Sequence, residues 1–192
     1  GIGYLDRYNA ATGERLTSLT LKGSHATSTY PCNDVFTDDS GNLCIMNLKN
    51  TTNDILQIAT VNPNTGETTV RFNLSVPERI DHARIVGDIN SSSAYIIAVS
   101  AAATIYRWEI YDGELENNGT YESTTITTFY PTNASRFGTA ARIYPIDKDY
   151  FYIDGSGSAF TLYKFGTKSP ISTFAAFTDL IPSGNSGNGG SY

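Results

Sequence analysis

Few residues of this sequence are of the types that do chemistry, and the most suggestive ones lie in polar segments. The chain has 2 histidines, His25 and His82, and Asp81 directly precedes the second one. Two histidines and a carboxylate can bind a metal ion, and a histidine can act as an acid or a base near neutral pH. The H-x-H and HExxH spacings are absent, so we predict neither a metal site nor a catalytic centre.

Aromatic and amide residues accompany the histidines in three polar segments, residues 22–33, 75–83 and 130–141. Tyrosine rings stack on the apolar faces of pyranose sugars, and Asn, Asp and Arg side chains satisfy sugar hydroxyls. Tyrosines of this kind could instead pack between structural units. The candidate binding residues of the three segments are Tyr30, Arg79, Asp81, His82, Tyr130, Asn133 and Arg136.

Two arginines occupy matching places in the chain. Arg84 and Arg142 both begin hydrophobic runs, as Asp34 does. The arginines could face a central channel and attract an anion or a carboxylate. They could equally pair with carboxylates inside the protein, and we favour this interpretation, with Asp34, Asp81 or Asp88 as the partner.

The remaining motifs point to turns rather than to sites. The acidic run at residues 38–42 lacks the alternation and the final glutamate of an EF-hand loop, so we interpret it as a hairpin turn. The sequence has no glycine-rich phosphate loop and no nucleophile elbow.

Composition and charge restrict the class of protein. The chain has 192 residues, of which 40% are hydrophobic and only 17% charged, with 13 Tyr and 17 Gly. This balance favours an all-β domain rich in turns. The net charge of -6 argues against a nucleic-acid partner, because a basic excess is needed to displace counterions. No apolar run approaches the roughly 20 residues that span a bilayer, so we expect no transmembrane segment.

The elements that must position the candidate residues form a repeat. Residues 34–74 contain four short strand patterns separated by three turns. The last turn, Asn-Pro-Asn-Thr-Gly-Glu at 62–67, returns as Asn-Ala-Ala-Thr-Gly-Glu at 9–14. Further four-strand units occupy residues 84–129 and 142–175, and residues 1–22 correspond to the second half of a unit. The units start about 50 to 58 residues apart, a spacing typical of repeat architectures.

Four-stranded units at this period predict a β-propeller, whose blades stack around a channel. A β-sandwich or a solenoid would also supply many strands, but a sandwich would not explain the repeated turn. Residues 1–176 would form about three and a half antiparallel blades of a larger propeller. Residues 177–192 would form a glycine-rich tail or the start of a further blade. Gly1 lies inside a strand pattern, so we expect the protein to extend before it.

The two turns at 9–14 and 62–67 resemble the outer hairpins of YVTN-type and quinoprotein-like propeller repeats. The acidic sequence, rich in Tyr, Thr and Asn, is similar to cell-surface lipoprotein propellers of unknown function from gut bacteria. This resemblance implies a propeller fold at the cell surface, secreted or periplasmic, and implies no ligand. Trp108 is the single tryptophan, so the docking tryptophans of quinone-binding relatives have no counterpart, and we expect no cofactor.

The two cysteines, Cys32 and Cys44, are expected to be free. In a hairpin between their strands, Cys44 would lie opposite about Thr37. The offset from Cys32 is then roughly five residues, or about 16 Å along a strand, which exceeds the reach of a disulfide.

Two main hypotheses for function follow, and a third, a purely structural scaffold for a larger complex, differs from the first only in having no pocket. The first is a non-catalytic extracellular or cell-surface module that binds a glycan or a protein through the loops of one propeller face. The alternative is a carbohydrate-active enzyme, a lyase or a glycoside hydrolase, with its site at the channel mouth. For the enzyme, Asp81, His82 and Arg136 are the candidates for acid–base chemistry.

An open arc of blades would leave apolar sheet faces at its two ends. We therefore expect the chain to associate with a second copy, or with the rest of its own protein, across those faces.

Overall fold

The computed structural model describes residues 3–23, 32–49, 55–100, 102–126, 142–154 and 160–174. Apart from one short 3-10 turn, the regular structure in these ranges is antiparallel β-sheet. Within the same ranges, no helix is long and apolar enough to cross a membrane. The predicted tail, residues 177–192, lies outside the described residues.

The chain begins with a two-stranded sheet and continues with three larger sheets. The first pair is β1 (Tyr4–Leu5) and β2 (Leu19–Thr20). The second sheet, blade 1, consists of β3 (Cys32–Thr37), β4 (Leu43–Lys49), β5 (Ile55–Val61) and β6 (Thr68–Ser75). These four strands pair in chain order, so blade 1 is a simple meander.

Blades 2 and 3 repeat this meander. Blade 2 consists of β7 (Ile80–Val86), β8 (Ala94–Ser100), β9 (Thr104–Tyr111), β10 (Glu114–Leu115) and β11 (Glu122–Thr125). Blade 3 consists of β12 (Arg142–Pro145), β13 (Tyr150–Asp154), β14 (Phe160–Lys164) and β15 (Ser172–Phe174). The first strands of successive blades contact one another, β3 with β7 and β7 with β12. The predicted fold class is therefore confirmed as a partial, unclosed β-propeller.

The core lies between the blades because each strand alternates its side chains between two sheet faces. Blades 1 and 2 share the largest cluster, in which Met46 and Ile58 are buried with Ile96 and Trp108. Fully burying an aliphatic side chain of this size stabilises the fold by roughly 1.5–3 kcal/mol. A second cluster joins blades 2 and 3, and there the other face of β8 meets β12 and β13. Its buried members are Ile97, Val99, Ala103, Ile105, Ile126, Ile143, Phe151, Ile153 and Tyr163.

The β1–β2 hairpin packs on the other face of blade 1. Leu19 and Leu21 are buried there against Ile45 and Val61. The backbone of Lys22 continues this contact, since its N–H donates to the Gly66 carbonyl at 2.8 Å. Gly66 has a φ of +74°, and a Cβ at this position would clash with the Thr20 carbonyl oxygen. A glycine is therefore required both by the turn and by the close approach of the hairpin.

The two Asn-x-x-Thr-Gly-Glu turns have the same structure. In each turn the asparagine Oδ1 accepts hydrogen bonds from the backbone N–H groups two and three positions later. Asn9 accepts from Ala11 and Thr12, and Asn62 accepts from Asn64 and Thr65. The glycine N–H then donates to the asparagine carbonyl at 2.8 Å and 2.9 Å. This Asx-turn chemistry is local, which explains why the sequence identified both turns.

Blade 2 departs from the repeat in its outermost strand. The strands β10 and β11 both pair with β9, and the 3-10 turn Glu116–Gly119 interrupts them. Inside the turn, Asn117 and Asn118 have left-handed φ values of 51° and 56°. Asparagine tolerates this conformation better than most residues, so the sequence specifies the interruption.

Cys44 is a free, buried thiol, as the sequence predicted. Its Cα pairs with that of Phe36, one residue from the predicted partner. Burial raises the pKa of the Cys44 thiol to about 12, so the side chain stays protonated and acts as a small apolar core residue.

Candidate functional site

The structure describes three of the seven candidate binding residues. Arg79, Asp81 and His82 lie at the start of the first strand of blade 2. Tyr30, Tyr130, Asn133 and Arg136 lie outside the described residues.

Asp81 and His82 do not lie in a loop, so this part of the prediction was wrong. The strand β7 begins at Ile80, four residues before the predicted start at Arg84. Ile80 pairs with Ser100 and His82 with Val99, and the register shift between these pairs is a β-bulge at Asp81. The extra residue of a bulge changes the directions of the side chains around it, so two consecutive polar side chains can both be buried within a strand. Both residues are buried.

His82 connects the first strands of all three blades. Its Nε2 lies 2.9 Å from Asp34 Oδ2 on β3. Its Nδ1 accepts a hydrogen bond from the Ile143 N–H on β12 at 3.1 Å. Because Nδ1 accepts, the proton of the neutral ring is on Nε2, which donates to Asp34. We call Asp34, His82, Arg84 and the Ile143 backbone the inner-strand cluster.

Arg84 completes the inner-strand cluster. Its Nη1 donates to Asp34 Oδ2 at 2.7 Å and to the Ala83 carbonyl at 2.8 Å. The guanidinium also lies 4.9 Å from the centroid of the Phe36 ring. The sequence analysis favoured a carboxylate partner for this arginine, with Asp34 among the three candidates, and the pairing of Arg84 with Asp34 is confirmed.

The environment fixes the charges of the inner-strand cluster. Partial burial would raise the pKa of Asp34, but the hydrogen bonds from His82 and Arg84 together outweigh it and hold that pKa well below its usual range. Burial, with the nearby charges of Arg84 and Arg142, lowers the pKa of His82, although Asp34 acts in the opposite direction. At neutral pH Asp34 is therefore ionised and His82 is neutral.

This arrangement leaves His82 without a free nitrogen. General acid–base catalysis needs a ring nitrogen within reach of a substrate proton, whereas both nitrogens here bind the protein itself. The inner-strand cluster can therefore hold three blades in register, but His82 cannot exchange a proton without losing an inter-blade hydrogen bond.

Arg79 differs from its two neighbours in exposure. Its side chain is 68% exposed, and its Nε lies 3.6 Å from Asp81 Oδ1, whose side chain is 3% exposed. A guanidinium held beside a buried carboxylate and open to solvent can donate hydrogen bonds to a ligand. Arg79 is thus the accessible residue of the described candidates.

No group of three metal-ligating side chains occurs in the part of the chain that the structure describes. The acidic run at 38–42 uses its carboxylates for turns and for blade contacts. Asp38 Oδ1 accepts from the Asn42 N–H at 2.8 Å, and Asp38 Oδ2 accepts from the Ile89 N–H of blade 2 at 2.9 Å. The interpretation of this run as a hairpin turn agrees with these contacts.

Sequence reasoning missed a polar groove between blades 2 and 3, which we call the side groove. It has a volume of about 470 Å³, and the interrupted strand of blade 2 forms one wall. Its base is Arg107, which donates to the Lys148 carbonyl at 2.9 Å and to Asp149 Oδ1 at 2.7 Å. The signal available in the sequence was the long polar segment 112–120, which has no equivalent in the other units.

No protein-family model matches the chain, and no curated protein matches it by sequence. Solved structures share its fold only in part. BamB from Moraxella catarrhalis is 14% identical with a TM-score of 0.39, over 73% of this chain and 35% of that one. A protein named as a 6-phosphogluconolactonase from Bacteroides uniformis is 16% identical with a TM-score of 0.47, over 90% and 50%. Apo AztD from Citrobacter koseri is 15% identical with a TM-score of 0.45, over 90% and 42%. The chain thus spans half or less of each of these structures.

Proposed function

We propose that this chain belongs to a non-catalytic, extracellular or cell-surface binding module. The module recognises a glycan or a protein through the loops at one end of its propeller. The observation that carries the proposal is the occupation of both ring nitrogens of His82 by Asp34 and Ile143.

The alternative, a carbohydrate-active enzyme at the channel mouth, has less support. It needs an acid–base pair that a substrate can reach, and Asp81 and His82 were its central candidates. Both are buried in β7, and His82 serves as a contact between blades.

Recognition by the loops is supported by Arg79. This residue ends the segment between blades 1 and 2 and directs an exposed guanidinium to solvent beside Asp81. In a propeller, the equivalent segments of successive blades gather at the same end. In this proposal the equivalent segments, which carry Tyr30 and Tyr130, supply rings for a sugar.

A surface location is supported by the similarity of the acidic sequence, rich in Tyr, Thr and Asn, to cell-surface lipoprotein propellers. The acidic net charge of -6 agrees with a ligand other than nucleic acid.

The test combines a binding measurement with an activity measurement. The purified chain is applied to an array of immobilised glycans, and each soluble glycan is also incubated with it and assayed for new reducing ends and unsaturated sugars. We expect retention on at least one glycan class without product. The variants Arg79→Ala and Tyr130→Ala should weaken retention about 10-fold, which is the loss of about 1.4 kcal/mol, whereas the exposed Lys164→Ala should not.

If the parent chain releases product and the His82→Gln variant does not, the proposal is overturned in favour of the enzyme. Retention that Arg79→Ala and Tyr130→Ala leave unchanged would show that the loops are not the binding surface.

A further inference from the structure

The side groove lies away from the loops of the proposed function. Lys148, on its rim, belongs to the turn between β12 and β13. Arg79 directly precedes β7, so it lies at the opposite end of the sheets. A ligand in the side groove would therefore bind a different part of the propeller.

The interrupted strand of blade 2 builds one wall of the side groove. In blade 1 the fourth strand runs without a break over Thr68–Ser75, whereas Asn117 and Thr120 of the interruption face the groove. Asn117 and Asn118 supply the left-handed backbone of this interruption, a conformation that asparagine adopts more readily than most residues. The wall of the side groove is therefore specified locally in blade 2.

The lining of the side groove combines rings with both kinds of charge. It contains two tyrosines, two carboxylates and two cations: Tyr95, Tyr121, Glu109, Glu122, Arg107 and Lys148. The charges of these side chains cancel in number, so the groove has no net attraction for an anion or a cation. Each sugar hydroxyl both donates and accepts a hydrogen bond, which matches a lining of mixed donors and acceptors.

Contacts within the protein hold these groups in place. Tyr121 makes T-shaped contacts with Tyr106 and Trp108 of the blade core, at 5.0 Å and 5.8 Å between ring centroids. Arg107 binds Glu122 and lies 4.1 Å from the centroid of the Phe165 ring. Tyr95 donates its hydroxyl to Glu109 at 3.0 Å. Because the groups are already ordered, a ligand would lose little free energy in arranging them.

We infer that the side groove is a binding site for a neutral oligosaccharide. Its volume of about 470 Å³ lies in the range of small-molecule sites. The carboxylates, Arg107, Lys148 and Asn117 bind the hydroxyls of the sugar. The Tyr95 ring packs beside Arg107 and Lys148, and Tyr121 packs on the blade core, so the rings order this lining. This site goes beyond the loop surface of the proposed function and does not depend on it.

Two neighbouring asparagines provide a matched pair of variants. Asn117 lines the side groove, whereas Asn118 lines a separate depression beside Arg71. Both have left-handed backbone, so replacement by glycine is compatible with the turn in either place. Asn117→Gly removes an amide from the groove, and Asn118→Gly removes one from outside it. Glu109→Gln tests an exposed carboxylate of the lining in the same way.

The experiment is affinity electrophoresis of the whole chain in gels that contain xyloglucan, galactomannan, mixed-linkage β-glucan or starch. A gel with polygalacturonate supplies a charged polymer. We expect at least one neutral polysaccharide to retard the parent chain and Asn118→Gly equally. Asn117→Gly and Glu109→Gln should be retarded about 10-fold more weakly, while polygalacturonate should retard none of them. Thermal melting of each variant checks that it is folded.

Three results would overturn the inference: no retardation of the parent chain by any neutral polysaccharide, equal retardation of all variants, or retardation by polygalacturonate alone. Arg79→Ala in the same gels separates the two proposals. If it abolishes retardation while the groove variants do not, the loops bind the glycan and the side groove does not.

Discussion

The inner-strand cluster and the side groove both contain charged and aromatic residues, yet they use them in opposite ways. In the inner-strand cluster, Asp34 and His82 direct their hydrogen bonds to other blades, and the His82 side chain is 6% exposed. In the side groove, Glu109 and Lys148 are exposed on the rim. Titratable residues close together therefore indicate a ligand site only where their polar atoms remain accessible.

The two regions should consequently respond differently to substitution. Changes in the inner-strand cluster should reduce stability and leave binding unaffected, whereas changes on the rim of the side groove should do the reverse. Arg107 is the intermediate case, because it forms the base of the groove and also joins two blades.

The largest effect is expected from Asp34→Ala. This change leaves the Nε2–H of His82 and the charge of Arg84 without their carboxylate, and both are mostly buried. The free energy of unfolding should fall by about 2–4 kcal/mol, measured by urea denaturation at pH 7. Glu114→Gln, an exposed change on β10, should alter it by less than about 0.5 kcal/mol. Equal values for the two variants would mean that the inner-strand cluster does not hold the blades together.

A smaller loss of stability is expected from Arg107→Ala. The side chain, 15% exposed, links blade 2 to Asp149 and the Lys148 carbonyl of blade 3. Its removal should cost about 1–3 kcal/mol and should also weaken retention by any glycan bound in the side groove. Arg107→Lys keeps the charge but loses the planar group that lies over Phe165, so its unfolding free energy should lie between those of Arg107→Ala and the parent. If Arg107→Ala melts like the parent, this residue is not a link between blades.

The smallest effect concerns pH. Since the pKa of His82 is lowered in the folded state, the unfolded chain binds the proton more readily. The contribution of this residue to stability is complete above its unfolded pKa of about 6.5 and is lost as the pH falls below that value. Asp34 contributes separately, because its lowered pKa affects stability only below about pH 4. Between pH 7 and pH 5 the unfolding free energy should therefore decline in the parent and less steeply in His82→Gln.

Denaturation at several pH values checks this expectation, with His25→Gln as the control for the other histidine. A parent chain whose stability rises as the pH falls from 7 to 5 would contradict the lowered pKa of His82.

The sequence was sufficient for the features that depend on local chemistry. The turns around Asn9 and Asn62 form through hydrogen bonds between residues at most five positions apart. The side chains of the strands between them alternate between the two faces of the sheet. The propeller followed from the repetition of these local units.

Features that depend on distant residues could not be found in this way. The role of His82 depends on Asp34 and Ile143, which are 48 and 61 positions away. Asp81 and His82 are consecutive polar residues, a pattern that predicts a loop. Their burial in a β-bulge depends on the neighbouring blades, and the sequence of a single strand does not reveal it. The side groove required the interruption of one outer strand and its position beside blade 3. The interruption is local to residues 116–119, but its position beside blade 3 depends on distant residues.

The most direct test of the structural role of the inner-strand cluster is the nitrogen NMR spectrum of His82, assigned by comparison with His25→Gln. We expect a neutral ring at pH 7 with its proton on Nε2, and a titration midpoint below the usual 6.5 for histidine. That result would mean that both nitrogens serve the contacts with Asp34 and Ile143. A ring that carries its proton on Nδ1, or that titrates at or above 6.5, would contradict the structural role and would restore His82 as an acid–base residue.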